Sequence, residues 1–245
     1  MKGLIIVIDG TDGCGKKTQT DILFETLKNE GKKVLKQSFP NYESNSSWPV
    51  KMYLAGELGE NANDIDAYQA SSLFAVDRLC TWQKLKDFYE NGGILIFDRY
   101  VQANMIHQTG KIKDENERDK FLEWLDNFEF EVLKLPRPDV VFFLDMPPEY
   151  SMKLAKERGE LKNGQKRDIH EEDKNHLINA YHAGKYVANK FGYKIISCVD
   201  NGRIKTIEEI HKEIVDAINW KIYWITQKKQ AIISLWKNSL LPFWF

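Results

Sequence analysis

A short glycine-rich segment near the amino terminus has the composition and spacing of a phosphate-binding loop. It reads GTDGCGK over residues 10–16 and fits the pattern GxxxxGK. Glycines allow backbone N–H groups to surround phosphate oxygens, and the final lysine can neutralise the β- and γ-phosphates. The loop lies between an apolar run and a stretch with helical periodicity, whose amino end would add positive potential. The predicted nucleotide-phosphate residues are Gly10, Thr11, Asp12, Gly13, Cys14, Gly15, Lys16, Lys17 and Thr18, with Lys16 as a catalytic residue.

The residue after Lys16 departs from the usual form of such a loop. That position is normally Ser or Thr, whose hydroxyl binds Mg²⁺, and here it is Lys17. Thr18 follows, but one residue along a helix is a rotation of about 100°. Two alternatives remain open: Mg²⁺ is held through water and carboxylates such as Asp98 and Asp145, or metal binding is weakened.

Alternating apolar and helical patterns indicate the elements that must hold this loop. Short continuous apolar runs predict buried parallel strands, because such strands have both faces covered. Segments with helical spacing separate the runs, so we expect an α/β fold with a five-stranded parallel sheet flanked by helices on both faces. The predicted strands are Leu4–Asp9, Lys33–Ser38, Ile94–Phe97, Val140–Leu144 and Tyr193–Val199, and the predicted helices span about 16–29, 66–91, 114–134, 148–158, 170–191 and 206–219.

Several charged residues lie at or directly after the ends of predicted strands. They are Asp9 with the glycine-rich loop, Asp98-Arg99, and Asp145. Ligands of parallel sheets bind at the carboxyl ends of the strands, where neighbouring loops meet. The sequence therefore predicts that these residues share one site.

The overall composition excludes several other classes of protein. The chain has 245 residues and a formal net charge of −1, so no global basic field points to a nucleic acid polymer as partner. Its cysteines, Cys14, Cys80 and Cys198, lack the spacing of a zinc site or a disulfide framework, so we expect a cytoplasmic location. No apolar stretch reaches the roughly 18 residues that a membrane span needs. The NKxD motif that reads the base in GTPases is absent from the sequence.

Four segments resemble motifs of the thymidylate kinase family and occur along the chain in the same order as in that family. Asp9–Thr20 resembles its phosphate loop, and Ser72–Arg78 resembles its helix with an aromatic residue four positions before an arginine. Asp98-Arg99-Tyr100 matches its DRY or DRH motif, and Phe39-Pro40 resembles its FP turn. The resemblance covers about residues 3–218. It implies a three-layer P-loop kinase fold that transfers the γ-phosphoryl of ATP to dTMP, with Mg²⁺ as cofactor.

The resemblance also implies roles for the residues of the acceptor site. Phe74 would stack on thymine, and its spacing places it on one helical face with Arg78. Arg78 and Arg99 would hold the acceptor phosphate, and Asp12 would face the acceptor nucleotide. Asp98 would be a catalytic residue near the acceptor phosphate and the metal. The predicted dTMP-binding residues are Asp12, Phe39, Phe74, Arg78, Arg99 and Gln108.

A polar segment over residues 156–173 resembles the lid of the family. One group of these kinases has an arginine inside the phosphate loop, but here that position is Gly13, so the resemblance is to the bacterial-type group with lid arginines. Arg158 and Arg167 are therefore the predicted catalytic residues of the lid, which would supply positive charge as it closes. The family's arginine after the FP turn is replaced by Asn41-Tyr42.

The carboxyl-terminal part of the chain lies beyond the resemblance. Residues 1–219 are expected to form the kinase domain, and residues 220–245 an aromatic-rich and helical extension that holds four of the seven tryptophans. We expect the extension to pack on its own domain or on a partner subunit, with an interfacial amphipathic helix as the alternative.

The sequence leaves two other functions open. One is a related P-loop kinase that acts on another deoxynucleotide or on a deoxynucleoside. The other is a degenerate nucleotide-binding protein with little turnover, an alternative kept open by Lys17 and Tyr42. The expected partners are ATP, dTMP and, by resemblance, a second subunit in a homodimer.

Overall fold

A parallel sheet of five strands is the central element of the fold. The structure is a computed structural model that describes residues 2–59, 64–159 and 174–218, without the side chains of 155–159 and 174–176. The strands are β1 (Leu4–Gly10), β2 (Val34–Ser38), β3 (Ile94–Asp98), β4 (Val140–Asp145) and β5 (Lys194–Ser197). They pair in parallel in the order β2-β3-β1-β4-β5. The predicted α/β fold with a five-stranded parallel sheet is confirmed.

Helices connect the strands and cover both faces of the sheet. They are α1 (Lys16–Asn29), α2 (Trp48–Leu54), α3 (Ala67–Glu90), α4 (Val101–Thr109), α5 (Glu115–Asp126), α6 (Pro148–Gly159), α7 (Lys174–Lys190) and α8 over 207–218. A π-helical turn at Asn127–Val132 follows α5, and a short hairpin of β6 (Val199–Asp200) and β7 (Arg203–Ile204) follows β5. The sequence pattern does not predict α2 or α4, because α2 is short and α4 is buried on nearly all sides, which removes its periodicity.

Alternate side chains of the strands fill two apolar cores, one on each face of the sheet. Val7 and Phe97 pack on one face with side chains of α3, α4 and α5. Ile8 and Leu144 pack on the other face with side chains of α1 and α8. Because both faces are covered, the strands are continuously apolar, as the sequence runs indicate.

Helix α7 lies close to the sheet and to α4 because it has a glycine at the contact. A Cβ atom at Gly184 would lie 2.7 Å from Cε2 of Phe143 on β4 and 3.4 Å from Cγ2 of Ile106 on α4. Both side chains are fully buried. Gly184 therefore fixes the position of α4, which also carries His107 and Gln108.

We expect Gly184→Ala to lower the free energy of unfolding by about 1 kcal/mol or more, because the added methyl group would displace Phe143 in a packed core. Helix propensity alone would favour alanine by about 1 kcal/mol, so the two effects oppose each other. Chemical denaturation measures the change. His182→Ala, an exposed substitution on the same helix, should stay within about 0.5 kcal/mol of the wild type. An unchanged or raised stability of Gly184→Ala would contradict the close approach.

Candidate active site

The carboxyl ends of β1 and β3 bring two distant sequence motifs together. Ile8 of β1 pairs with Asp98 of β3 in the parallel register. The N–H group of Arg99 then donates to the carbonyl of Ile8 at 3.1 Å, one residue beyond β3. The glycine-rich loop that follows β1 therefore lies beside Asp98-Arg99, as the sequence predicts.

The glycine-rich loop leads directly into the first turn of α1. No described side chain caps that turn, so its N–H groups are available to an anion. Nζ of Lys16 donates to the carbonyl of Thr11 at 2.7 Å and lies 3.8 Å from Oδ1 of Asp12. Gly13 has a φ of +80°, and a Cβ atom there would lie 3.0 Å from the carbonyl oxygen of Ser151 on α6. Both the conformation and the close approach require glycine at this position.

Two carboxylates, Asp9 and Asp98, lie beneath the loop. Asp9 is fully buried and its Oδ1 accepts the next backbone N–H at 2.8 Å. Burial raises the pKa of Asp9 to about 6, against the opposing effect of Arg99 and Lys16. Oδ2 of Asp98 accepts from Oγ of Ser38 at 3.3 Å. The other oxygens, Oδ2 of Asp9 and Oδ1 of Asp98, have no partner among the described residues, so both can take up a cation or water.

Arg99 connects these carboxylates to the phosphate loop. It has a φ of +64°, a strained conformation for a residue other than glycine. Its guanidinium forms an ion pair with Asp12 and donates to Nε2 of His107 at 2.9 Å. Because a guanidinium has no acceptor, Nε2 of His107 must be unprotonated. Burial would lower the pKa of Arg99, but Asp12, Asp9 and Asp98 raise it above its usual range, so Arg99 stays cationic.

A cavity of ≈ 350 Å³ opens between the DRY motif, α3 and α4. Phe74 of α3 lines it and packs edge to face on Tyr53, with ring centroids 6.1 Å apart. Gln108 of α4 also lines it, and its Oε1 is buried without a partner among the described side chains. All six residues predicted for the acceptor line this one cavity, namely Asp12, Phe39, Phe74, Arg78, Arg99 and Gln108.

A smaller cavity of ≈ 200 Å³ lies at the phosphate loop. It is lined by Gly13, Gly15, Lys16, Lys17, Thr18, Asp98 and Arg99. Asp98 and Arg99 line both cavities and therefore stand where the two adjoin.

The segment after Phe39-Pro40 is fixed to α3 by a buried carboxylate. Asp77 is 1% exposed and accepts from the backbone N–H of Asn41 at 2.7 Å and from Oγ of Ser46 at 2.6 Å. Tyr42, which follows Asn41, lines the larger cavity. The sequence prediction omits Asp77, although it lies within the motif that supplies Phe74 and Arg78.

Arg78 lies in the predicted cavity but is already paired. Its Nε donates to Oε2 of Glu129 at 2.7 Å, its Nη2 contacts Oε1 of the same carboxylate, and its Nη1 donates to the carbonyl of Tyr100 at 3.3 Å. Arg78 is 2% exposed and Glu129 is fully buried. A guanidinium neutralised in this way weighs against the predicted role of Arg78 as a phosphate ligand.

Asp145 also has partners that the sequence does not predict. Its Oδ1 accepts from the hydroxyl of Tyr181 at 2.9 Å, and its Oδ2 accepts from Nζ of Lys185 at 3.0 Å. Both partners belong to α7, so Asp145 joins β4 to that helix. This pairing weighs against the predicted metal role of Asp145, whereas Asp98 retains a free carboxylate oxygen. Among the described residues, no three His, Cys, Asp or Glu side chains converge on a common point.

Lys17 lines the cavity at the phosphate loop, but its ammonium group pairs with a carboxylate of α1. Its side chain is 80% exposed and its Nζ lies 2.6 Å from Oδ2 of Asp21, one turn further along α1. The side chain therefore does not fill the position that a Ser or Thr hydroxyl would occupy. Of the lid arginines, the side chain of Arg158 and the whole of Arg167 lie outside the described residues, as does the extension over 220–245.

Three residues of the site are missing from the sequence prediction, namely Asp77, His107 and Glu129. Asp77 could have been found from its motif. His107 precedes the predicted Gln108, but no residue pattern links it to Arg99. Glu129 has no sequence signal at all. The structure alone places His107 and Glu129 at the site.

The phosphate loop leads into a helix, and an aspartate and an arginine from the neighbouring strand of the parallel sheet lie beside it. This arrangement defines a P-loop kinase. Residues 8–214 match the family model described as thymidylate kinase. The chain belongs to the thymidylate kinase family. Within the described residues, no helix has the length and apolar character that crossing a bilayer requires.

Individual relatives agree with the family match. The chain is 29% identical to a thymidylate kinase of Mycobacterium tuberculosis over 171 residues, which cover 69% of this chain and 78% of the relative. It is 30% identical to a thymidylate kinase of Plasmodium falciparum over 150 residues, or 61% of this chain and 65% of the relative. The solved thymidylate kinase of Candida albicans has a TM-score of 0.65 at 20% identity and covers 89% of this chain and 92% of its own. This structural similarity confirms the three-layer P-loop kinase fold.

We expect Gly13→Ala to weaken nucleoside triphosphate binding by about tenfold or more, because the loop must shift to relieve both the strained φ and the contact with Ser151. Calorimetric titration with a non-hydrolysable triphosphate measures the affinity. Gly31→Ala is the matched control: its φ is +73°, but no atom lies within 4 Å of the added Cβ and it follows α1 far from the loop. It should cost about 1 kcal/mol of stability and leave the affinity unchanged. Equal affinities of the two variants would contradict this account of the loop.

Proposed function

We propose that this protein transfers the γ-phosphoryl group of ATP to dTMP and so produces dTDP for dTTP synthesis. The observation that carries the proposal is the arrangement of the two cavities. All six residues predicted for dTMP line the larger one, and the phosphate loop lines the smaller one. The match of residues 8–214 to the family model also supports the proposal.

Transfer requires the two reacting phosphates to meet between the cavities. The triphosphate of ATP would lie on the glycine-rich loop, with Lys16 and the first N–H groups of α1 around it. Arg99 would hold the acceptor phosphate at the junction, where its fixed guanidinium suits a phosphate better than a point charge. Catalysis of this kind is mainly positioning and charge neutralisation. No general base is needed, because the acceptor is already an ionised phosphate.

Mg²⁺ fits Asp98 at the junction of the two cavities and the buried Asp9 near it. Oδ1 of Asp98 and Oδ2 of Asp9 are buried oxygens without a partner among the described residues, and such hard ligands suit Mg²⁺. Asp98 would hold the ion directly or through water, with Asp9 behind it. When bound, Mg²⁺ would neutralise charge on the phosphates of the donor.

The base of the acceptor would lie in the larger cavity. Phe74 offers a ring face for stacking, and the unpartnered Oε1 of Gln108 can accept an N–H group of the base. Asp12 would face the sugar and phosphate, while Phe39 closes the cavity by packing on Phe97 at a ring-centroid distance of 5.3 Å.

Three further expectations belong to the same proposal. Arg158 and Arg167 would bring positive charge to the transferred phosphoryl group when the lid closes. The protein would act in the cytoplasm. It would form a homodimer, for which Val76 on α3, 48% exposed, offers an apolar contact.

We expect ATP and Mg²⁺ to give rapid ADP formation with dTMP and much slower formation with dCMP, dGMP and thymidine. Because the similar Candida albicans enzyme has broad substrate specificity, the acceptor panel also includes dUMP. Lys16→Ala should lower kcat by about 100-fold or more, and removal of Mg²⁺ by chelation should abolish turnover. A preference for another acceptor would contradict the assignment of dTMP as the substrate. ATP binding without turnover on any acceptor would indicate a nucleotide-binding protein instead.

Asp98→Asn should raise the Mg²⁺ concentration needed for half-maximal activity by about tenfold or more, since it removes a charged ligand. Lys17→Ala should leave that concentration within about threefold of the wild type, because the Lys17 side chain points toward Asp21. Activity measured over a range of Mg²⁺ concentrations at saturating ATP and dTMP tests both. A large effect of Lys17→Ala together with none of Asp98→Asn would contradict the assignment of the metal to Asp98.

A further inference from the structure

A buried ion pair lies behind the acceptor cavity, and the proposed reaction does not use its acidic member. Glu129 is fully buried, and its Oε2 accepts from Nε of Arg78 at 2.7 Å. Its Oε1 accepts from Nη2 of Arg78 and from Nδ2 of Asn104 at 3.4 Å. On the other side, Nη1 of Arg78 donates to the carbonyl of Tyr100 at 3.3 Å. These contacts fix the plane of the guanidinium.

Glu129 reaches the interior because the backbone widens after α5. Asn127–Val132 form a π-helical turn, in which the N–H of Leu133 donates to the carbonyl of Phe128 at 2.9 Å. Such turns place an extra residue in a helix and are frequent at functional sites. Glu129 is fully buried in this turn, whereas the side chain of Glu131 is 55% exposed. The turn therefore directs one carboxylate inward and leaves its neighbour at the surface.

The buried pair has little value as a source of stability. Desolvation of two charges offsets most of their attraction, so apolar residues could replace them without loss. The pair does neutralise Arg78 and determines which of its N–H groups are free. A guanidinium has five N–H groups. Contacts with Glu129 and Tyr100 use one on each nitrogen, which leaves one on each terminal nitrogen. Arg78 lines the acceptor cavity beside Phe74 and Gln108.

We propose that Glu129 is a positioning residue that fixes Arg78 as a neutralised hydrogen-bond donor toward the base of the acceptor nucleotide. This inference rests on the proposed function. A fixed donor favours the carbonyl oxygen that thymine and uracil carry at carbon 4. It opposes the amino group that cytosine carries there, because two donors cannot bond each other. Glu129 therefore influences the choice of pyrimidine without touching the nucleotide.

Glu129→Gln tests the inference, because it keeps the shape of the side chain and places an amide N–H group against the guanidinium. We expect Kd and KM for dTMP to rise about tenfold or more, with kcat and KM for ATP within about threefold of the wild type. The preference for dTMP over dCMP should fall at the same time. Calorimetry with dTMP, dUMP and dCMP gives the affinities, and the ADP assay gives the kinetic constants. Glu131→Gln, in the same turn but at the surface, should change none of these.

A second variant covers the case in which Glu129→Gln does not fold. Arg78→Met combined with Glu129→Met removes both charges together, so no uncompensated charge stays buried and the protein should fold. Thermal melting establishes folding for each variant. The double variant should melt near the wild-type temperature and lose the preference for dTMP over dCMP.

The inference is overturned if a folded Glu129→Gln or double variant keeps the wild-type affinity for dTMP and the wild-type preference over dCMP. A wild-type protein that binds dTMP without phosphorylating it would contradict the proposed function, and calorimetry on the variants would still decide the role of Glu129. A wild-type protein that binds none of the three nucleotides would overturn both proposals.

Discussion

The ion pair between Asp12 and Arg99 joins the phosphate loop to the carboxyl end of β3. It can form because β1 and β3 are parallel neighbours, so the residues that follow them emerge at the same edge of the sheet. Arg99 adopts a φ of +64° there, and the carboxylates of Asp9 and Asp98 keep its charge in place. Both cavities adjoin this pair. A change in the β1–β3 register would therefore disturb the donor side and the acceptor side together.

Buried charge at the site opposes folding stability. Asp9 is fully buried with a raised pKa, which means that its ionised form is disfavoured where it lies. The pair of Arg78 and Glu129 adds little net stability, because desolvation of the two charges offsets most of their attraction. The apolar cores on the two faces of the sheet supply the compensating burial. The polar interior is thus confined to the strand ends, and the rest of the sheet remains apolar.

The sequence signals that succeeded are local, and those that failed depend on contacts between distant residues. The apolar run Leu4–Asp9 followed by spaced glycines predicts a strand and a phosphate loop, and both are present. The acceptor residues follow only from a family resemblance, and all six line one cavity. Glu129 could not be predicted, because it lies 51 residues from Arg78 and no spacing links the two. The strand-end rule locates Asp145 correctly but says nothing of its partners on α7.

Glu129 lies in a π-helical turn, so the direction of its side chain depends on the number of residues in the turn as well as on their types. Each residue of an α-helix rotates the chain by about 100°. Loss of a single residue from Asn127–Val132 would restore regular winding and carry the carboxylate off the inner face of the helix. Arg78 would then be a buried cation without its counter-ion, although every neighbouring side chain was unchanged. In this chain, loss of one residue from the turn would thus have a greater effect on the acceptor pocket than most substitutions around it.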